Sequence, residues 1–331
     1  MPEPTGVRVT QVGSWPGTDF ASAMGMALEE TPDLPCLPEL PDRGPGAGMI
    51  GRAAGLITEI PMDLQPTGWR IASGGARDQR VARSHLRSDL DQLEEAAQGY
   101  QGPVKISFIG PWSLAASVER NRGDKVLGDL GARKELAEAL AEGLVQLGSD
   151  LANRLPEISV LWQLDEPMLA LVADGRIATA SGYSRMRPVE APDLVTLLDL
   201  VMTATGDNCW LHSCAADLPW DTLLRTQATG LSVDASLVST AGWDALGPSV
   251  EQGRSLALGV LATSGPVPST DQVSQRVLRR WESLGLDQTA IDRLWLTPTC
   301  GLAGRSEAEA LTSLRILRTA ADLVTEQVND R

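Results

Sequence analysis

The feature that most constrains the fold is a regular alternation of short apolar runs with longer segments whose apolar residues recur at helical spacing. The predicted strands are residues 7–14, 36–40, 104–109, 159–165, 209–214, 230–235, 256–261 and 294–299. The clearest predicted helices are residues 132–155, 193–204, 271–284 and 307–328. Alternating strands and helices are typical of a parallel sheet. Eight such units in a chain of 331 residues predict an α/β fold, a (β/α)8 TIM barrel.

An open, doubly wound sheet is the alternative architecture, but no G-x-G-x-x-G motif follows the first predicted strand. The segment 41–102 looks mainly helical and is longer than one crossover helix requires. No segment has the composition of a linker, and no internal repeat is present. We therefore expect one domain over residues 1–331.

The charge balance narrows the classes of partner. Asp and Glu number 43 and Lys and Arg number 28, which gives a net charge of −15. An acidic surface argues against nucleic acid or an anionic membrane as the main partner. No apolar run reaches the roughly 18–20 residues of a membrane span, and the N-terminus does not resemble a secretory signal. We expect a cytoplasmic protein.

Polar and metal-binding residues follow several of the predicted strands. In a barrel of this type, the chemistry belongs at the carboxyl ends of the strands. The residues at these ends include Ser14, Glu39, Asp165, Glu166, His212, Cys214, Asp234 and Cys300.

His212-Ser213-Cys214 is the most specific local motif. Residues two apart in a strand point to the same side, so His212 and Cys214 can reach one metal ion. Cys300 and Asp234 end other strands, and zinc binds cysteine, histidine and carboxylate together. The alternative is a buried cysteine beside a histidine with a structural role. Cys36 and Cys209 are expected to pack in the core, and His85 to be a solvated surface residue.

Two carboxylates, Asp165 and Glu166, follow the buried run Val160-Leu161-Trp162-Gln163-Leu164. One interpretation is structural: an aspartate with a proline soon after it is a common helix start. The other is functional: a carboxylate here can anchor a substrate ammonium group or act as an acid or base. The two interpretations are compatible.

Four motifs in the same order resemble the C-terminal catalytic barrel of cobalamin-independent methionine synthase. Its superfamily also contains uroporphyrinogen decarboxylase. Gln11-Val12-Gly13-Ser14-Trp15-Pro16-Gly17-Thr18 is similar to I-G-S-[FY]-P-x-T, and Gln163-Leu164-Asp165-Glu166-Pro167 is similar to Q-I-D-E-P. His212-Ser213-Cys214 resembles H-x-C, and Pro298-Thr299-Cys300-Gly301-Leu302 resembles N-P-D-C-G-L.

The resemblance implies a zinc-dependent methyltransferase that methylates a thiol. In the family, this thiol is homocysteine. By position, His212, Cys214 and Cys300 correspond to zinc ligands, and Asp234 stands where the family has a glutamate. Ser14 corresponds to the contact with the homocysteine carboxylate. Asp165, and more loosely Glu39, correspond to contacts with its amino group, and Asp165 is also the catalytic candidate.

The methyl donor implied is a methylfolate or a methylcorrinoid. The family's folate-facing motif G-P-V-T-x-L-x-W-S appears only in part, as residues 102–108 with Trp112-Ser113 several residues later. Two other functions remain open. One is a decarboxylase-like barrel that uses carboxylates without a metal, and the other is a non-catalytic relative that binds zinc or a thiol.

Overall fold

The strands of the chain fall into two sheets. The computed structural model describes residues 6–74 and 76–330. In chain order its strands are β1 (Arg8–Val9), β2 (Met62–Gln65), β3 (Gly68–Ile71), β4 (Pro103–Ile109), β5 (Ser159–Asp165), β6 (Cys209–Ser213), β7 (Gly230–Asp234), β8 (Ser255–Leu261) and β9 (Leu294–Pro298). Seven of them form one parallel sheet in the order β1-β9-β8-β7-β6-β5-β4, and β2 and β3 form a separate antiparallel hairpin.

Residues 35–39 join the two edges of the seven-stranded sheet. The Leu37 amide donates to the Lys105 carbonyl of β4 at 2.8 Å. On the other side, the Trp15 amide donates to the Glu39 carbonyl at 2.8 Å. Both contacts are parallel bridges, so this segment takes the place of the second barrel strand. The α/β barrel that the alternation predicts is confirmed, although its first two strands are short and irregular.

Helices separate most consecutive strands of the barrel. They are α1 (Phe20–Glu30), α2 (Met49–Leu56), α3 (Arg77–Ala96), α4 (Pro111–Ser117), α5 (Leu130–Arg154), α6 (Leu169–Ala173), α7 (Ala191–Ala204), α8 (Trp220–Arg225), α9 (Thr240–Glu251), α10 (Thr270–Leu284) and α11 (Glu307–Asn329). Short 3₁₀ helices span Pro41–Arg43, Val126–Gly128 and Gln288–Arg293. Capping side chains fix several starts: Asp129 accepts from two amides of α5, and Ser306 forms a capping box with Glu309 in α11.

The apolar interior has two parts. The larger cluster fills the space between the sheet and the surrounding helices. A second, smaller cluster consists of Leu34, Leu161, Trp210, Ala257 and Trp295. Trp210 and Trp295 meet edge to face, with ring centroids 5.5 Å apart. Since its strand members lie in the amino-terminal halves of β5, β6, β8 and β9, this cluster forms a packed floor and leaves the carboxyl ends for chemistry.

The long region 41–102 is only partly helical. It holds α2 and α3, as predicted, but also the hairpin of β2 and β3, which the helical interpretation missed. Within the described residues, no helix is both long enough and apolar enough to cross a membrane.

Candidate metal centre and substrate pocket

Three predicted metal ligands come together at the carboxyl ends of the barrel strands. One donor atom each from His212, Cys214 and Cys300 lies within 4.8 Å of the other two. The two Sγ atoms are 3.0 Å apart. His212 is buried and both cysteines are half-buried. Metal–ligand bonds of about 2.0–2.3 Å span comparable separations, so this nitrogen and sulfur set fits a zinc ion.

The surroundings of this cluster favour metal binding. His212 Nδ1 lies 2.9 Å from Ser232 Oγ, which fixes the ring and leaves Nε2 available as a ligand. Hydrogen bonds from Cys214 and His212 hold the pKa of Cys300 well below its usual range, whereas the same pairing raises the pKa of Cys214. The pairing thus favours the thiolate form of one sulfur, which is the form that binds metals.

The fourth predicted ligand, Asp234, does not belong to this group. It ends β7 as predicted, but its Oδ1 accepts from the Ser236 amide at 2.8 Å and from Ser236 Oγ at 2.6 Å. The carboxylate thus closes a local turn. A ligand role for Asp234 stays a prediction.

A small cavity of about 90 Å³ adjoins the metal cluster. All three cluster residues line it, together with the three residues predicted to bind the substrate: Ser14, Glu39 and Asp165. The barrel therefore places every predicted site residue except Asp234 around one cavity.

Asp165 is held in place from within its own strand. Gln163 lies two residues earlier in β5, so its side chain points to the same side. Its Nε2 donates to Asp165 Oδ1 at 2.7 Å and to the Val12 carbonyl at 2.9 Å. Burial raises the pKa of Asp165 to about 6, against the opposing effects of His212 and Gln163. At neutral pH this carboxyl is mostly ionised and suited to bind an ammonium group.

Glu39 has a buried cationic neighbour that the sequence did not indicate. Arg52 of α2 places Nη1 3.5 Å from Glu39 Oε2, and its guanidinium lies 4.9 Å from the centre of the Phe108 ring. Burial raises the pKa of Glu39 to about 7, and the charge of Arg52 limits the rise. The charge of Glu39 therefore depends on Arg52.

The helix-start interpretation of Asp165 and Glu166 is wrong. The next helix, α6, begins at Leu169 with Met168 at its N-cap position, and no side chain caps it. Glu166 instead accepts from the Trp112 amide at 2.9 Å and from the Ser113 amide at 2.8 Å. Glu166 is thus a buried cap for α4, the helix after the neighbouring strand.

Ser14 is positioned by backbone contacts with two other segments. Besides the bridge to Glu39, its carbonyl accepts from the Leu302 amide at 2.8 Å. Gly301 passes so close that a Cβ atom there would lie 1.9 Å from Ser14 Oγ. A glycine is required at 301 for the segment after β9 to bring Cys300 beside Ser14.

Several functional neighbours had no clear sequence signal. Arg52 and Lys105 are charged side chains buried in the structure, and charged residues are normally expected at the surface. Ser232 could have been noticed, because it precedes Asp234 by two residues and so faces the same side of β7. Cys36 and Cys209 are buried, as expected.

The family model for the catalytic domain of cobalamin-independent synthase matches residues 132–323, which is more than half of the chain. This range contains the motifs around Asp165, His212 and Cys300. None of the curated proteins matches this sequence.

Two solved structures resemble the chain over nearly its whole length. One is a B12-independent methionine synthase from Shewanella sp. W3-18-1 in complex with selenomethionine, with a TM-score of 0.65 at 12% identity. The aligned region spans 99% of this chain and 100% of the synthase chain. A methyltransferase from Methanosarcina mazei has a TM-score of 0.54 at 14% identity, covering 97% of this chain and 94% of its own. At these identities, the likeness establishes the shared fold.

Proposed function

Because the chain belongs to the family of cobalamin-independent synthase catalytic domains, we propose that it is a zinc-dependent methyltransferase acting on a small thiol, most simply homocysteine. The observation that carries the proposal is the His212, Cys214 and Cys300 cluster beside a cavity lined by carboxylates. We propose that it acts as a single barrel in the cytoplasm.

The metal would be held by His212, Cys214 and Cys300, with Asp234 as the predicted fourth ligand. A free thiol is mostly protonated at neutral pH, and bound zinc would lower the pKa of a thiol that coordinates it. Two cysteines and one histidine suit zinc better than magnesium or calcium, which prefer oxygen ligands.

The other lining residues orient the thiol substrate. Asp165 and Glu39 are buried carboxylates that can pair with its ammonium group, and the Ser14 hydroxyl can donate to its carboxylate. Together they would point the sulfur at the metal cluster. The binding interactions would then offset the entropy cost of bringing the sulfur and the methyl group together. A cavity of about 90 Å³ suits a small amino acid and not a folate or corrinoid ring system. The methyl donor therefore approaches from outside this cavity.

The direct test is methyl transfer from methyltetrahydrofolate or a methylcorrinoid to homocysteine, with wild type beside Cys214→Ser. We expect the variant to lose bound zinc and at least a hundredfold in turnover, because it lacks one thiolate ligand. Cys209→Ser is the matched control, since Cys209 is a buried cysteine of β6, the strand that Cys214 directly follows, and lies outside the cluster. It should keep both zinc and activity. Full activity in Cys214→Ser, at full metal content, would disprove the site assignment.

A metal-free, decarboxylase-like reaction is the alternative from another enzyme class. It predicts no zinc and no effect of either cysteine substitution. A non-catalytic relative would keep zinc and bind the thiol, yet transfer no methyl group from either donor.

A further inference from the structure

A second hollow, of about 490 Å³, opens between the loops that follow β4 and β5. The lining segments come after the short helices α4 and α6 and lead into α5 and α7, whose N-termini lie on the face of the barrel that carries the metal cluster. Its lining includes three arginines, Arg133, Arg185 and Arg187, and one carboxylate, Asp193. Its charge is therefore net positive, in a chain whose overall charge is −15.

The three arginines differ in how they are held. The Arg133 side chain is largely buried, lies 5.2 Å from the centre of the Trp112 ring and pairs with Asp193 at 3.6 Å. Arg185 and Arg187 are exposed, and neither has an ion-pair partner within the described residues. Their five-donor guanidinium groups are suited to carboxylate and phosphate oxygens.

The segment that carries Arg185 and Arg187 is fixed by backbone hydrogen bonds. The Met186 amide donates to the Ile177 carbonyl at 2.8 Å, and the Ala180 amide donates to Asp124 Oδ1 at 2.8 Å. The second bond ties this loop to the loop after β4. Both arginines line the hollow, so both can contact one bound anion.

The hollow lies next to elements of the proposed catalytic site. Trp112, whose ring contacts the guanidinium of Arg133, lies in the first turn of α4, and its amide donates to Glu166. Glu166 directly follows Asp165 of the substrate cavity. A ligand bound at these arginines thus reaches the same face of the barrel, on the side of β4 and β5.

We propose that this arginine hollow binds the oxyanions of the methyl donor, either the glutamate carboxylates of a methylfolate or the phosphate of a methylcorrinoid. The proposal rests on the methyltransferase function, since only that function requires a donor. It places donor recognition on this chain's own loops, outside the small thiol cavity.

Titration calorimetry with two probes, a γ-linked triglutamate peptide and inorganic phosphate, tests the site without turnover. We expect one probe to bind wild type, and to bind the double variant Arg185→Glu, Arg187→Glu at least tenfold more weakly. Added salt should weaken binding, because the contacts are charged. Tighter binding of triglutamate indicates a folate donor, and tighter binding of phosphate a corrinoid. Arg279→Glu reverses the charge of an exposed arginine of α10 away from the hollow; it is the charge-reversal control and should bind like wild type.

The proposal is overturned if neither probe binds wild type at millimolar concentration, or if the double variant binds as tightly as wild type. Zinc content and thiol binding should be unchanged in the double variant, so a failure here is distinct from a failure of the proposed function. Where methyl transfer is measurable, the double variant should raise KM for the donor and leave KM for the thiol unchanged. An unchanged KM for the donor would refute its role in donor recognition.

Discussion

The pair of Glu39 and Arg52 shows how single buried side chains set the chemistry of the cavity. Arg52 is 3% exposed, and its Nε and Nη2 atoms have no hydrogen-bond partner among the residues that the structure describes. A buried guanidinium with so few partners is costly unless an anion compensates its charge. Glu39 is that anion, so we expect Arg52 to position the carboxylate that we propose binds the substrate.

Replacing Arg52 with methionine should therefore move the pH dependence of thiol binding. The pKa of Glu39 is about 7, and the positive charge of Arg52 lowers it, so removing that charge raises the pKa. Binding of an ammonium group needs ionised Glu39 and is lost as the pH falls through this pKa. A rise of about one pKa unit lowers the ionised fraction of Glu39 at pH 7 from about one half to about one tenth, so we expect KM for the thiol to rise roughly fivefold at pH 7 in Arg52→Met and to recover at higher pH.

Steady-state kinetics from pH 6 to 9 measure this shift. Arg43→Met is the control, because Arg43 is a largely buried arginine whose partner is Asp89. If the pH profile of KM for Arg52→Met coincides with that of wild type, Arg52 does not act through the charge of Glu39.

At the level of elements, Glu166 links β5 to the start of α4. Its Oε2 also accepts from Ser113 Oγ at 2.6 Å, and the Ser113 hydroxyl oxygen in turn accepts from the Met168 amide at 3.0 Å. The link fixes α4 and the segment after β5 relative to one another. A Cβ atom at Gly110 would lie 2.4 Å from Glu166 Oε1, so a glycine is needed where β4 passes into α4.

This link predicts a pH-dependent contribution to stability. Burial raises the pKa of Glu166 to about 7 from an ordinary value of 4.5, against the hydrogen bonds it accepts. The folded state therefore holds this proton more tightly than the unfolded state. The stability that results is present below about pH 4.5 and is lost as the pH rises through 7. We expect the unfolding free energy of wild type minus that of Glu166→Gln to fall by about 2–3 kcal/mol between pH 4.5 and 7.5.

Denaturant unfolding at four or five pH values measures this difference. Glu30→Gln is a suitable control, because Glu30 is a buried carboxylate whose pKa is lowered by Arg315 and Arg318. The unfolding free energy of wild type minus that of Glu30→Gln should be constant over this range. A constant difference for Glu166→Gln as well would contradict a raised pKa.

Elements differ in how far the sequence predicted them. The strands from 104 onward were placed within one or two residues, because buried parallel strands are nearly continuous apolar runs. The hairpin of β2 and β3 was missed, since each strand has four residues and pairs only with the other. Its turn, Pro66-Thr67, with Gly68 directly after it, was the available signal. The capping of α4 by Glu166 joins residues more than 50 positions apart, which no local pattern reveals.

For the molecule as a whole, barrel closure explains why the predicted site residues meet. Ser14, Glu39 and Cys300 lie far apart in the chain, yet the 35–39 segment and the turn at Gly301 bring them to one end of the barrel. Strand ends could be read from the sequence, and the fold class then placed them at a common face. Side-chain orientation could not be read, as Asp234 and its turn with Ser236 show.

The central claim is that a metal held by His212, Cys214 and Cys300 binds the sulfur of the substrate. Zinc-edge X-ray absorption, on protein purified under reducing and chelator-free conditions, tests it most directly, before and after addition of homocysteine. We predict about one zinc per chain with two sulfur ligands, and a third sulfur ligand once the thiol is added. Absence of zinc, or an unchanged number of sulfur ligands after homocysteine is added, would contradict the account.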